Sequence, residues 1–418
     1  MHAERASPPM RVMYFNPTGQ LGGAETSLLA ILSSVRNAEP SWPLHLVMAG
    51  DGPLREAASV LGVATTVLPF PPALAKLGEH GAHAETGGYV RLAAQLGRAS
   101  SGVPAYIGQL RRAIRSFRPD VIHTNGLKMH VLAGWATSSL PLVWHLHDYL
   151  GSRPLTATLL RWSASRCATV VANSKSVADD ARAAIGHGVK VVPVYNAVDL
   201  DRFSPTGDRA DLDDLARLPT APAGTIRVGL LGTFARWKGH ETFLRAVTQI
   251  PRDLPIRAYI IGDALYQTDG SQYSGDDLRR LAASLDIADR VGFTGFVRQS
   301  DAALRALDVV VHASTLPEPF GLVIAEAMAC GRAVVVSRAG GAAELVSHDV
   351  DALTHTPGDA GELATRIAAL ATDASLRARI GAAARATAER AFDHTRLASE
   401  IVPVYRDAVN CQLVASTA

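Results

Sequence analysis

Short β-branched or apolar runs alternate with helix-periodic segments along almost the whole chain, and this alternation confines it to an α/β fold built on parallel sheets. The runs include 11–15, 44–49, 63–68, 120–123, 142–145, 169–172, 189–194, 226–231, 309–312 and 333–336. Between them, stripes such as Leu28, Leu29, Ile31, Leu32 and Val35 carry the helical period. At 418 residues the chain exceeds what one hydrophobic core comfortably serves, so two domains are expected.

Charge narrows the function classes. The 41 basic and 39 acidic side chains nearly cancel, so nucleic acid is not an expected partner and any anion has to be recognised locally. The 3 cysteines follow no metal-ligand spacing, and with no apolar leader or span of membrane length, a cytoplasmic protein is expected. Residues 1–10 read as a lead-in. The irregular stretch 70–101 is where an acceptor-facing segment is expected, and the arginines of 98–118 fit a solvated helix better than a membrane contact.

The stretch LPEPFGLVIAEAMACGRAVVVSRAGG, 316–341, concentrates chemistry. Glu318 stands between two prolines, which force extended backbone and keep it out of the helix that follows. From Gly321 the pattern is helical up to Gly331, and Glu326 falls in the first turns. The helix start presents unpaired N–H groups and a positive dipole end, a site suited to a diphosphate. Glu318 and Glu326 can accept hydrogen bonds from hydroxyls on either side of it, the pattern a nucleotide sugar needs.

Two further turns repeat the strand, glycine, helix design. Gly22 and Gly23 stand between the first strand and its helix, with Glu25 after them. Gly232 to Gly239 follows the strand 226–231 and carries Arg236 and Lys238, two cations placed to neutralise a leaving diphosphate. Polar clusters also follow two strand ends. One holds His123, Asn125 and Lys128, expected as acceptor contacts. The other holds His145, His147 and Asp148; His147 is expected to bind a sugar hydroxyl with Asp148 tuning its protonation, and His145 is the alternative register.

The run EPFGLVIAEAMACG, 318–331, together with Gly340 and Gly341, resembles the donor-site signature of the retaining family 4 glycosyltransferases. The resemblance implies a GT-B fold of two Rossmann-like, doubly wound parallel-sheet domains facing across a cleft. They would span 1–198 on the acceptor side and 225–395 on the nucleotide-sugar side, with the last helix, about 396–418, packing back on the first. Residues 195–199 resemble the segment that closes the first domain, with Ala197 in place of its usual glycine, and 201–224 would connect the two.

The same resemblance implies retaining transfer of a hexose from a nucleotide-diphosphate sugar, with a UDP-sugar favoured, to a hydroxyl of a small-molecule, glycan or lipid-linked acceptor. It implies neither cofactor nor metal; Asp199 with Asp201 and Asp349 with Asp351 have D-x-D spacing, but both pairs fall in turn or linker sequence and read as solvated loop residues. By this carry-over Gly22 and Gly23 approach the donor phosphate, His147 lines the sugar pocket and Lys238 contacts the diphosphate. Arg236 stands in for an arginine that Thr233 replaces. Glu318 orients the sugar and Glu326 holds the ribose. The remaining nucleotide contacts are Gly262, Phe296, Val297, Phe320, Gly321, Leu322 and Val323. Two alternatives remain: a nucleotide-sugar 2-epimerase, which needs no acceptor, and a non-catalytic GT-B partner subunit.

Overall fold

The computed structural model describes residues 9–75, 102–264 and 271–417. The stretch 76–101, which includes Arg98 and most of the expected acceptor-facing segment, lies outside the described residues. The chain divides into two compact units: residues 1–195 with 394–418, and residues 196–393. No helix among the described residues is long and apolar enough to cross a membrane.

The first unit is built on a sheet of β1 (Val12–Asn16), β2 (Leu44–Met48), β3 (Ala64–Val67), β4 (Val121–Asn125), β5 (Leu142–Leu146), β6 (Cys167–Ala172) and β7 (Lys190–Pro193). All pairings are parallel, in the order β3-β2-β1-β4-β5-β6-β7. Helices cover the faces, so central strands such as β1, β4 and β5 are buried throughout, as parallel sheets require. The helix Val103–Phe117 shows why the stripe reading works: Tyr106, Leu110 and Ile114 enter the core, while Arg111 lies outside and donates to the carbonyls of Trp135 and Ala136.

The C-terminal helix Leu397–Thr417 belongs to this first unit. Ser34 Oγ accepts from Ala398 N at 2.8 Å, and Tyr405 Oη lies 2.9 Å from His123 Nδ1. His123 is thus buried in the interior, and burial lowers its imidazole pKa to about 3, which removes it from the acceptor contacts expected of it.

The second unit carries β8 (Ile226–Leu231), β9 (Ile256–Ile261), β10 (Val291–Gly295), β11 (Val309–His312), β12 (Ala333–Ser337) and β13 (Leu353–His355). They form a parallel sheet in the order β10-β9-β8-β11-β12-β13. At three residues, β13 is too short to show a period, which is why the alternation did not reveal it.

The unit starts at Asn196, before the position 225 expected from the charged, Pro-rich composition of 201–224. That segment is fastened by buried Asp213, which accepts from Tyr259 Oη at 2.6 Å, Arg257 at 2.6 Å, Arg227 at 3.3 Å and Ala221 N at 2.9 Å. Composition suggested a connector; buried ionic pairing makes it part of the unit.

Candidate functional site

Strand order reverses beside β1 and β4 in the first sheet, and beside β8 and β11 in the second. In open α/β sheets the crevice beyond the C-terminal ends of such strands is where ligands bind. Gly22 and Gly23 follow β1 and Asn125 ends β4 in the first unit, while Lys238 follows β8 and Glu318 and Gly321 follow β11 in the second.

In the second unit, β8 runs into a turn that ends in the single 3₁₀ turn Arg236–Lys238 and then Gly239, whose φ is 78°. A Cβ at Gly239 would lie 1.9 Å from the carbonyl oxygen of Ala313, so only glycine lets this turn meet the segment after β11. Thr315 N donates to Trp237 O at 2.7 Å and joins the same two segments.

Lys238 Nζ reaches Glu318 Oε1 at 2.5 Å. Glu318 Oε2 accepts from His312 Nε2 and from Ser314 Oγ, each at 2.7 Å. The backbone of Glu318 is extended enough to bridge Gly340, as its two flanking prolines demand. Burial alone would raise the carboxyl pKa, but the Lys238 ammonium and His312 outweigh it and hold Glu318 well below the usual carboxylate range. Glu318 is therefore an ionised, buried hub. His312 and Ser314 were not anticipated; their signal was two polar residues at the end of an otherwise apolar strand.

Gly321, with φ of 91°, precedes the helix Leu322–Ala329 and offers no side-chain cap. The N–H groups of Leu322 and Val323 have no acceptor among the described residues, so two donors remain open at the positive helix end. Phe320 is buried just before the turn. Glu326 lies one turn into the helix, and its carboxylate makes no hydrogen bond to another described residue. Burial pushes its pKa up to about 7, with the Arg202 charge opposing and the Asp301 charge adding to the shift.

Gly262 follows β9 and donates to Gly295 O at 3.0 Å; exposed Phe296 and half-buried Val297 follow β10. These three, like Lys238 and Gly321, follow the C-terminal ends of strands of the same parallel sheet. Arg236 is engaged differently from its neighbour Lys238. Its guanidinium lies 4.4 Å from the centre of the Tyr273 ring, and Tyr273 Oη donates to Glu241 at 3.0 Å. Asp351 departs from expectation: it is buried and accepts from Ser347 N at 2.6 Å and Thr387 Oγ1 at 2.9 Å.

In the first unit, Gly22 caps the helix Gly23–Ala38 without a side-chain bond. Glu25 is buried in its first turn, where Oε1 accepts from Asn16 Nδ2 at 3.3 Å, and desolvation raises its pKa. Asn125 Nδ2 donates to Asn16 Oδ1 at 2.7 Å, and Asn125 Oδ1 meets His147 Nε2 at 2.5 Å. His147 is thus the histidine at the strand end, whereas His145 is an interior strand residue with neither ring nitrogen hydrogen-bonded. Asp148 is exposed and pairs with Arg153 at 3.4 Å, so the group against the His147 ring is Asn125 and not the expected carboxylate. Lys128 is also committed: Nζ donates to Ala75 O at 2.6 Å and lies over the Phe70 ring.

Residues 22–202 match the family model described as Glycosyltransferase Family 4, and residues 219–387 match that described as Glycosyl transferases group 1. The chain is 24% identical to N-acetyl-alpha-D-glucosaminyl L-malate synthase of Bacillus anthracis, over 69% of this chain and 74% of that protein. It is 31% identical to D-inositol 3-phosphate glycosyltransferase of Xylanimonas cellulosilytica, over 57% of each. Among solved structures, Anabaena Alr3699/HepE in complex with UDP-glucose superposes with a TM-score of 0.75 and 27% identity, covering 94% of this chain and 98% of that one. With both halves matched in order and each built on a parallel sheet, the chain is a family 4 glycosyltransferase of GT-B fold.

Proposed function

We propose that the chain transfers a hexose, with retention of anomeric configuration and without a metal, from a UDP-sugar to a hydroxyl of a small-molecule, glycan or lipid-linked acceptor. The observation that carries this reading is the grouping in the second unit of the open helix N-terminus at Gly321, the Lys238–Glu318 ion pair and the carboxyl of Glu326, which has no hydrogen-bond partner among the described residues. UDP is favoured because the Anabaena relative binds UDP-glucose. The free cysteines fit a cytoplasmic setting.

In this reading the Leu322 and Val323 N–H groups and the Lys238 ammonium hold the diphosphate. Glu326 accepts from the ribose hydroxyls, and Glu318 orients the sugar while fixing Lys238. Gly22 and Gly23 admit phosphate to the first unit's helix start, and His147 takes a sugar hydroxyl. As the bond from the anomeric carbon to the phosphate oxygen breaks, negative charge grows where Lys238 and the helix dipole stabilise it. The acceptor oxygen bonds to the same face of that carbon, and its proton passes to the departing diphosphate.

Calorimetric titration with UDP, GDP and ADP tests the donor site, with Glu326→Ala as the comparison. The reading expects one nucleotide, UDP, to bind and the substitution to weaken it. No binding of any nucleotide would overturn it, and conversion of the UDP-sugar without acceptor would replace transfer by epimerisation.

A further inference from the structure

The buried polar chain at the β1, β4 and β5 strand ends has a direction, and the direction has a chemical consequence. Asn16 Nδ2 faces Thr18 O at 2.7 Å and Glu25 Oε1 at 3.3 Å. A backbone carbonyl can only accept, so that side of the Asn16 amide must be the nitrogen. Asn16 therefore offers Oδ1 to Asn125, whose own nitrogen donates to it at 2.7 Å and to Ala24 O at 3.4 Å. This leaves Asn125 Oδ1, an acceptor, against His147 Nε2 at 2.5 Å. The imidazole must carry its proton on Nε2.

We propose that Glu25, Asn16 and Asn125 are positioning residues that lock His147 in the Nε2-protonated tautomer, so that Nδ1 presents a bare lone pair to a hydroxyl of a sugar ligand. Nδ1 is buried and has no hydrogen-bond partner among the described residues, an unmet acceptor that a ligand hydroxyl would satisfy. Burial also lowers the imidazole pKa to about 4, so the ring is neutral near pH 7 and Nδ1 is not a donor. The opposite tautomer would face a sugar hydroxyl with N–H and leave Asn125 Oδ1 against a lone pair. The chain thus decides which hydroxyl geometry the site accepts. The proposal rests on the glycosyltransfer reading for its ligand and on the hydrogen-bond directions for its tautomer. Donor sugar and acceptor share the hydroxyl chemistry, and the test separates them.

The tautomer is read first, without ligand, from long-range proton–nitrogen correlations of full-length protein labelled with ¹⁵N-histidine. The His147 signals are assigned by their loss in His147→Gln. Wild type should show protonated Nε2 and unprotonated Nδ1. Asn125→Ala and Asn16→Ala should mix the tautomers, whereas Glu25→Gln, which keeps a carbonyl acceptor for Asn16, should preserve the wild-type pattern. Should Asn125→Ala fail to fold, Asn125→Ser serves in its place. An Nδ1-protonated wild type, or an unchanged pattern in the Asn125 and Asn16 variants, overturns the relay.

The ligand is read by calorimetry with UDP and UDP-glucose and by acceptor kinetics. If Nδ1 binds the donor sugar, Asn125→Ala weakens UDP-glucose about tenfold, the loss of one hydrogen bond, and leaves UDP unchanged. If it binds the acceptor, both titrations stay unchanged and acceptor KM rises. No change in either overturns the hydroxyl role. Absence of UDP binding by wild type would instead overturn the glycosyltransfer reading and leave the tautomer result standing.

Discussion

Lys238 Nζ and Glu318 Oε1 are 2.5 Å apart although 80 residues separate them in the chain, and their pairing ties the turn after β8 to the loop after β11. Both side chains are largely withdrawn from water, at 20% and 8% exposure. Removing one partner strands the other charge in a poor solvent. Lys238→Met should therefore destabilise the protein by about 3 kcal/mol, with His312 still beside Glu318 keeping the loss from being larger. Adding Glu318→Gln should restore part of it. Urea unfolding of the two single variants and the double variant measures the coupling, and additive losses would show that the pair is not coupled.

Glu326 makes stability depend on pH. Its pKa in the folded chain is about 7 against an ordinary value of 4.5, so the folded state favours the protonated carboxyl. That contribution is fully present below about pH 4.5 and is lost as pH rises through 7. Wild type should lose about 2 kcal/mol relative to Glu326→Gln between pH 5 and pH 8, at about 1.4 kcal/mol per pKa unit. Denaturant midpoints of both proteins at the two pH values give the answer. The same substitution should weaken nucleotide binding, opposing its gain in stability at alkaline pH.

Gly239 is the backbone counterpart of the Lys238 pair. With φ of 78° and a Cβ that would fall 1.9 Å from Ala313 O, Gly239→Ala should cost at least about 2 kcal/mol. Gly232→Ala is the control, because nothing lies within 4 Å of its added Cβ, and it should cost less than about 1 kcal/mol. Thermal melts of the two variants should separate clearly; equal melting temperatures would contradict the close approach.

Asp213 fastens the segment that precedes β8. Burial raises its carboxyl pKa, but the hydrogen bonds from Tyr259, Ala221, Arg257 and Arg227 outweigh this and hold it well below the usual carboxylate range. Its stabilisation is thus present above the ordinary carboxylate pKa and lost only as pH falls through the depressed value. Asp213→Ala should cost about 3 kcal/mol and make residues 201–224 more sensitive to limited proteolysis. Asp213→Asn, which retains an acceptor for Tyr259, should fall between variant and wild type.

Much of the architecture was legible because its signals are local. Ile226–Leu231 and Val309–His312 are strands with the bounds expected from their largely apolar runs, since a parallel strand covered on both faces is apolar over its buried centre. Pro317 and Pro319 likewise set the backbone of Glu318, and Gly321 the start of the helix after it. Local composition misled in 201–224, where charged residues suggested a solvated connector: Asp213 is charged because it is buried among Arg227, Arg257 and Tyr259. The assignment of Asp148 to the His147 ring failed for a related reason. Both residues lie past the end of β5, where Asp148 pairs with Arg153 and Asn125 meets the His147 ring, so the neighbour in sequence was not the neighbour in space.

By itself the sequence determined the parallel α/β class, the glycine turns and the helix beginning after Gly321, because each follows from periodicity or from the conformational limits of Gly and Pro within a few residues. The tertiary structure decided that Lys238 meets Glu318, that His312 and Ser314 complete that site, and that Asn16 and Asn125 set the direction of the chain ending at His147. Those relationships join strand ends far apart in sequence. Hydrogen-bond partners there are chosen by sheet order, and strand order is a property of the packed chain rather than of any local run of residues.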